Sequence, residues 1–258
     1  MADAMSRLGI VDWGIGGLGV VRELRAYCTR KKAASPAISY FSDTGAPPYG
    51  TLSVRDLEAR LRMAIGFLRG HGASRILLAC NAASTALPLL SDLDDVSGVI
   101  APTIALVTRQ KNAKRIAIIG GRRTILSRVY ANALRKKGFD VVQKIAQPLS
   151  AMIERGEQRS PRFETAVAQI LRGTTHYTAL LLACTHYPAA FASFEKQFAG
   201  QIIDPLPAIA RAYFDAKVAP HKNQDAFFTT GDPHAMKRAT RLAWGDNFAN
   251  LKPKKILL

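Results

Sequence analysis

Two cysteines occupy matching positions in this 258-residue sequence and have the chemistry for acid–base catalysis. Cys80 lies in "LLACNAAS" and Cys184 in "LLACTHYP", so each follows a short aliphatic run and precedes a polar residue. We predict that each run is a buried strand and that a helix begins just after each cysteine. Free N–H groups and the helix dipole favour a thiolate at such a turn, so we expect a thiol pKa below its usual ~8.5.

A single cysteine on an apolar strand is usually structural, but two cysteines in matching contexts favour a shared function. If both thiols face one cleft, one can remove a proton from a carbon while the other delivers a proton to the opposite face. This is the chemistry of a racemase that needs no cofactor. Cys28 lies on a predicted amphipathic helix, and we expect it to be structural.

The first glycine-rich stretch, "GIVDWGIGGLG" at residues 9–19, has the GxGxxG spacing of a dinucleotide-binding loop. Two of its residues argue against that function. Asp12 would place a carboxylate against bound phosphates, and Trp13 adds bulk where the backbone must approach the pyrophosphate closely. We therefore disfavour nucleotide binding at this loop.

Short β-branched or aliphatic runs alternate with helical patterns along the chain, which predicts parallel sheets flanked by helices in an α/β fold. The predicted strands are 8–12, 37–42, 75–80, 115–120, 140–145, 179–184, 201–204 and 226–230. The predicted helices between them are 17–31, 53–69, 124–137, 162–172 and 206–217.

A weak internal duplication predicts two similar lobes. The strand-then-glycine turns "IVDWGIGG" and "AIIGGRRT" lie about a hundred residues apart, and "LLAC" recurs with a similar offset. We predict a discontinuous first lobe of residues 1–100 plus 205–258 and a second lobe of residues 101–204. Ligands of open α/β sheets bind at the carboxyl ends of strands, so the active site is expected in the cleft between the lobes.

The charge balance is strongly basic, with 36 Lys and Arg against 19 Asp and Glu and a formal net charge of +17. Such an excess can attract nucleic acid or small anionic substrates. The basic residues are spread through the chain and flank predicted helices, whereas clustering marks a nucleic-acid surface. We therefore expect most of them to lie on solvated faces.

Other global features favour a cytoplasmic protein. Three widely spaced cysteines suit a reducing compartment better than a disulfide framework. No stretch approaches the roughly 20 apolar residues of a membrane span, and the N-terminus lacks a signal-peptide pattern. The sequence contains no CxxC or HxxxH pair, so we expect no metal site.

Nine short motifs occur in order along almost the whole chain. They are "GIVDWGIGGL", "YFSDTGAPPYGTLS", "LLACNAAS", "GVIAP", "IAIIGGRRTILSRVY", "PLSAMIERGE", "LLACTHYP", "IIDP" and "FFTTGDP". The series resembles the glutamate racemases of the PLP-independent Asp/Glu racemase superfamily, whose patterns include "GVFDSGVGGL", "ACNTAS" and "LGCTHYP". Each motif alone is weak, but the ordered series is highly specific.

The resemblance implies that Cys80 and Cys184 are the two acid–base thiols, acting on opposite faces of the glutamate α-carbon. In the family the first-lobe thiol serves the D-enantiomer and the second-lobe thiol the L-enantiomer. It also implies that Asp12 assists Cys80 and that His186 assists Cys184. Glu154 is implied to lie near Cys184 and His186. The substrate-binding positions that it implies are Trp13, Tyr49, Gly50, Asn81, Ala82, Thr185 and His186.

The resemblance further implies an isomerase that supplies D-glutamate for peptidoglycan, and hence for cell-wall biogenesis and cell shape. It implies no PLP, metal or nucleotide cofactor and no membrane association. Family members commonly form homodimers, and some are associated with inhibition of DNA gyrase. A basic protein that contacts nucleic acid or gyrase therefore stays open as an alternative of another class.

Three substitutions depart from the family pattern. Trp13 replaces a serine that contacts substrate, Ala82 replaces a threonine, and Gly121 replaces the threonine of the middle glycine turn. Losing one neutral hydrogen bond costs about 0.5–1.5 kcal/mol, whereas an indole can fill the space of a side-chain carboxylate. Racemisation of aspartate, or another reaction of the superfamily, therefore also stays open.

Overall fold

The computed structural model describes residues 7–110, 113–214 and 225–258. Within these residues ten strands form two sheets, and every strand pairing is parallel. The strands are β1 Arg7–Asp12, β2 Ala37–Ser42, β3 Ala73–Leu78, β4 Val96–Gly98, β5 Arg115–Gly120, β6 Asp140–Ile145, β7 Ala179–Ala183, β8 Gln201–Ile203, β9 Ala226–Thr229 and β10 Pro253–Lys255.

Helices connect and flank these strands. They are α1 Gly16–Arg30, α2 Val54–Gly70, α3 Asn81–Ser84, α4 Ile100–Thr108, α5 Arg122–Leu126, α6 Val129–Arg135, α7 Gln147–Glu154, α8 Pro161–Leu171, α9 Phe191–Gln197, α10 Leu206–Tyr213 and α11 Pro233–Trp244. Short 3₁₀ turns lie at Leu87–Leu90, Tyr187–Ala190 and Gly245–Phe248. None of the helices in the described ranges is long and apolar enough to cross a membrane.

Local sequence explains where several elements begin. The strand β2 is buried at all six positions, as expected for a strand covered on both faces of a parallel sheet. The helix α2 begins after Ser53, whose hydroxyl accepts a hydrogen bond from the backbone N–H of Asp56. The helix α8 begins in the same way after Ser160, with Pro161 at its first position.

The α/β prediction is confirmed, with differences in single elements. The predicted helix 124–137 is two helices, because Arg128 between them adopts a left-handed backbone conformation with φ of 55°. The three-residue strands β4 and β10 and the helices α4, α7, α9 and α11 were not predicted. The predicted helix 206–217 ends at Tyr213, and its last three residues lie outside the described ranges.

The two sheets repeat one strand order. The six-stranded sheet runs β10-β9-β2-β1-β3-β4, and the four-stranded sheet runs β6-β5-β7-β8. The order β2-β1-β3-β4 therefore corresponds to β6-β5-β7-β8, as the internal duplication suggests. In each sheet the order in which the strands are added reverses between two neighbouring strands. These are β1 and β3 in one sheet and β5 and β7 in the other. Open α/β sheets bind ligands at the carboxyl ends of such strands.

The lobe boundaries remain a proposal that rests on strand membership. All strands of the six-stranded sheet fall within residues 1–100 and 205–258, and all strands of the other fall within 101–204. One buried cluster crosses this division, since Leu18 of α1 belongs to the same core as Ile153 of α7. The lobes thus share apolar packing beside the cleft, which positions their strand ends.

Candidate active site

One cavity lies where the carboxyl ends of the two sheets face each other. Its lining comprises Asp12, Trp13, Pro48, Tyr49, Gly50, Cys80, Asn81, Ala82, Gly121, Thr124, Gln147, Ser150, Ala183, Cys184 and His186. Both thiols therefore line one cavity. Cys80 follows β3 and Cys184 follows β7, which is the third strand of each lobe in chain order. The cavity volume is about 40 Å³, which is room for roughly three water molecules.

Cys80 lies between β3 and the short helix α3, as its sequence context predicts. Burial raises the pKa of the Cys80 thiol well above its usual range, and the nearby Asp12 carboxylate raises it further. Backbone N–H groups of Ala82 and Ala83 act in the opposite direction but do not outweigh burial. The expectation of a lowered pKa is therefore wrong for Cys80, because an enclosed sulfur loses more hydration than two amides replace.

Asp12 is fully buried at the end of β1. Its carboxylate accepts hydrogen bonds from the backbone N–H groups of Trp13 (2.7 Å) and Gly17 (2.6 Å) and from the hydroxyl of Thr185 (2.9 Å). Burial raises the pKa of Asp12, against the lowering effects of His186 and these donors. Thr185 thus points at the carboxylate of the other lobe and does not line the cavity.

His186 joins the second thiol to a carboxylate. Its Nδ1 lies 3.8 Å from Cys184 Sγ, and its Nε2 lies 2.6 Å from Glu154 Oε1. Although burial lowers the pKa of His186, the hydrogen bonds to Cys184 and Glu154 raise it well above its usual value. An imidazolium at this position donates from both ring nitrogens. Glu154 lies behind the cavity wall and supports it through His186.

Two glycines of the glycine-rich stretch at residues 9–19 allow its backbone to pack closely against His186 and Glu154. A β-carbon built on Gly14 would overlap the Glu154 carboxylate, and one on Gly16 would lie 2.6 Å from His186 Nδ1. The backbone N–H of Ile15 also donates to Glu154 Oε1 at 2.6 Å. The loop therefore needs glycine so that the first lobe can approach the histidine and carboxylate of the second.

Asn81 presents an available donor to the cavity. Its Oδ1 accepts a hydrogen bond from the Tyr130 hydroxyl at 2.6 Å, while its buried Nδ2 has no hydrogen-bond partner within the described chain. Buried amide donors are normally satisfied. The free Nδ2 of a cavity-lining residue therefore points to a ligand acceptor.

The substitutions at Trp13 and Ala82 both lie in the cavity wall. The indole N–H of Trp13 donates to the carbonyl of Ala46 at 3.0 Å, which ties the ring to the loop that follows β2. The same loop carries Tyr49 and Gly50 into the lining. An aromatic wall thus stands where the family pattern has a small hydroxyl.

Sequence reasoning missed part of this arrangement. Thr124, Gln147 and Ser150 line the cavity from the second lobe without having been singled out. Asp43, which follows β2, is fully buried and accepts hydrogen bonds from Tyr49, Arg60 and Thr230. An acidic residue directly after a predicted strand was the available signal for Asp43. Within the described residues, no cluster of three or more His, Cys, Asp or Glu side chains is arranged to hold a metal ion.

The fold and this site define an amino-acid racemase of the two-lobed type. A family model described as Asp/Glu/Hydantoin racemase matches residues 8–213, so the chain belongs to that family. Curated relatives are glutamate racemases. That of Desulforudis audaxviator is 34% identical over 218 residues, covering 81% of this chain and 78% of the relative. That of Stutzerimonas stutzeri is 30% identical over 265 aligned residues, covering 96% and 97%.

Solved structures with the same fold are also glutamate racemases. The glutamate racemase of Francisella tularensis in complex with D-glutamate superposes with a TM-score of 0.83 at 25% identity, covering 99% of this chain and 98% of that chain. The glutamate racemase of Thermus thermophilus in complex with β-chloro-D-alanine gives a TM-score of 0.80 at 26% identity, with 99% and 98% coverage.

Proposed function

We propose that the protein is a cofactor-independent glutamate racemase that interconverts L- and D-glutamate through Cys80 and Cys184. The observation that carries this proposal is the arrival of two thiols in one cavity from corresponding strand ends of two sheets. Relatives at 30–34% identity that are glutamate racemases, and a similar structure that holds D-glutamate, support glutamate as the substrate.

The surroundings of the thiols assign them different resting roles. Cys80 is a neutral thiol because burial and Asp12 oppose its ionisation. The hydrogen bonds to Cys184 and Glu154 raise the pKa of His186, so its Nδ1 can donate towards Cys184 Sγ. The resting enzyme is therefore set to accept L-glutamate, with Cys184 as the base and Cys80 as the acid.

The reaction then removes a proton from one face of the α-carbon and delivers another proton to the opposite face. The Cys184 thiolate takes the α-proton of L-glutamate, and the electron pair of the C–H bond stays on the α-carbon. That carbon takes a proton from the Cys80 S–H on its opposite face, so D-glutamate forms with Cys80 as thiolate and Cys184 as thiol. Donors such as Asn81 Nδ2 oppose the charge that develops on the substrate.

The cellular role follows from this chemistry as a proposal. D-Glutamate formed in the cytoplasm would supply peptidoglycan precursors and thereby cell-wall biogenesis and cell shape. The homodimer that the family resemblance implies is likewise a proposal. The comparisons do not favour the alternative of a basic protein that contacts nucleic acid or gyrase.

Exchange of the α-proton in deuterated water tests the proposal directly. We expect the reduced wild-type protein to incorporate deuterium into both glutamate enantiomers and to interconvert them. Cys80→Ser and Cys184→Ser should each lower racemisation by about 10²–10⁴-fold, the usual contribution of acid–base catalysis. Each single variant should keep exchange, if any, with one enantiomer only.

Cys28→Ala is the matched control, since this third cysteine is buried in the core and does not line the cavity. It should racemise glutamate at close to the wild-type rate. Failure of the wild-type protein to exchange the α-proton of either enantiomer would rule out the proposed function.

A further inference from the structure

Arg123 of the second lobe makes hydrogen bonds to the backbone of the first lobe. Its Nε donates to the carbonyl of Tyr49 at 3.3 Å, and its Nη2 donates to the carbonyl of Leu52 at 2.5 Å. These two carbonyls belong to the loop between β2 and α2, whereas Arg123 lies in the first turn of α5. The guanidinium therefore crosses the cleft beside the cavity.

The segment that Arg123 holds is part of the cavity wall. Pro48, Tyr49 and Gly50 line the cavity from the first lobe. Gly121 and Thr124, which flank the Arg122-Arg123 pair, line it from the second. Each backbone carbonyl that accepts from the guanidinium thus lies within two residues of a lining position. Separation of this segment from α5 would open the cavity at that side.

A second group of the second lobe contacts the same segment. A β-carbon on Gly50 would lie 2.9 Å from Gln147 Oε1, so glycine allows the amide to pack against this backbone. Gln147 Oε1 is itself held by the backbone N–H of Arg122 at 2.9 Å. The other anchors of the segment, from Tyr49 to Asp43 and from Trp13 to Ala46, stay within the first lobe.

The cavity volume indicates that the walls lie close together in this arrangement. About 40 Å³ accommodates roughly three water molecules, which is too little for an amino acid with two carboxylates to enter. The walls must therefore separate for substrate to pass, and a contact that spans the cleft has to break. A guanidinium with two carbonyl acceptors suits this task, because its planar fork holds both and water can replace them.

We propose that Arg123 is a positioning residue that latches the 48–52 segment onto the second lobe and so sets how often the substrate site is assembled. The inference rests on the proposed function, since it takes glutamate as the substrate. If glutamate enters the opened site and is held tightly only once the 48–52 segment latches over it again, weakening the latch lowers the apparent affinity. At saturation the bound substrate keeps the segment latched over it, so the chemical step keeps its rate.

Steady-state kinetics of three variants in both directions tests the latch. Arg123→Ala should raise KM for L- and D-glutamate about tenfold, equivalent to ~1.4 kcal/mol, and change kcat less than about twofold. Arg123→Lys should fall between wild type and Arg123→Ala, because an ammonium can reach one carbonyl but not hold both. Arg122→Ala is the matched control, since the neighbouring side chain is exposed and its contact to Gln147 uses only the backbone.

Tryptophan fluorescence provides a readout that needs no activity. Trp13 is tied to Ala46 of the same loop, whereas Trp244, the other tryptophan, is only 3% exposed. Acrylamide should therefore quench Trp13 preferentially. Quenching should increase in Arg123→Ala without ligand and return to the wild-type level at saturating D-glutamate.

The outcomes separate the two proposals. An inactive wild type would overturn the glutamate racemase assignment, while ligand-free quenching would still report the latch. An active wild type with unchanged KM and quenching in Arg123→Ala would overturn the latch, as would a loss of kcat at constant KM. If Arg123→Ala did not fold, Arg123→Lys would decide, with a KM about threefold above wild type expected from loss of one hydrogen bond.

Discussion

The partners of the two thiols differ although the thiols occupy corresponding places. Cys80 has an anionic neighbour, Asp12, which opposes loss of its proton. Cys184 has a cationic neighbour, His186, which is supported by Glu154. One thiol thus rests as an acid and the other faces a hydrogen-bond donor, which is the division that a two-base proton transfer requires.

Tyr130 is expected to orient the amide that meets the substrate. Tyr130→Phe removes the donor to Asn81 Oδ1, so the amide can turn its oxygen towards the cavity. Loss of one such bond costs about 0.5–1.5 kcal/mol, and we expect D-glutamate to bind about 3–10-fold more weakly by titration calorimetry. Tyr213→Phe is the control, since its hydroxyl donates to the carbonyl of Gly98 and Tyr213 does not line the cavity. Equal affinities in the two variants would contradict an orienting role for Tyr130.

Trp13 is expected to set the length of substrate that fits. Trp13→Ser restores space at the wall, and a pocket distinguishes substrates that differ by one methylene by about tenfold or more. We expect the ratio of kcat/KM for glutamate over aspartate to rise about tenfold. Trp13→Phe keeps the bulk of a ring without the N–H bond to Ala46 and should retain the wild-type ratio. An unchanged ratio in Trp13→Ser would show that the indole does not limit the pocket.

At the scale of elements, the strength of local signals explains which ones were predictable. The strands β2, β5 and β6 match their predicted bounds because each is a six-residue run in which β-branched or aromatic side chains recur. The strands β4 and β10 have three residues each, which is too short for a period to show. The helix α7 begins at Gln147-Pro148, and proline near its start obscures it in a pattern search.

A partly buried carboxylate, that of Asp204, lies just before α10 and is expected to make stability depend on pH. Asp204 accepts a hydrogen bond from the backbone N–H of Leu206 at 2.8 Å, and burial raises its pKa from 3.8 to about 6. The folded state therefore holds this proton more tightly than the unfolded chain does. Its contribution to the free energy of unfolding is fully present below pH ~4 and falls by up to ~3 kcal/mol as the pH rises to about 7.

Asp204→Asn should remove this pH dependence while keeping an acceptor for Leu206. In urea denaturation we expect the variant to gain stability over wild type by ~1–3 kcal/mol at pH 7.5 and to approach or fall below it at pH 4.5. Asp232→Asn, which alters the exposed cap of α11, is the control and should reproduce the wild-type profile. Parallel profiles for Asp204→Asn and wild type would exclude the effect.

At the scale of the whole molecule, the site exists only where the lobes meet. The bond from Ile15 to Glu154 spans 139 residues of sequence, and the bond from Thr185 to Asp12 spans 173. Motifs in the sequence could nominate the residues at each strand end, because those positions carry distinctive types. They could not nominate Gln147, whose place in the wall depends on how the two sheets pack. The roles of the nominated residues stay predictions until the variants are measured.

The repeated strand order has a consequence for the kinetics of the two directions. Two copies of one fold are related by a rotation, whereas L- and D-glutamate are related by a reflection. Exchanging the lobes therefore cannot convert the handling of one enantiomer into that of the other, and unlike groups such as Asp12 and His186 are needed. The equilibrium constant between mirror images is one, so kcat/KM must be equal in both directions. Nothing requires equal kcat or equal KM, and the unlike partners of the thiols make these differ by one common factor.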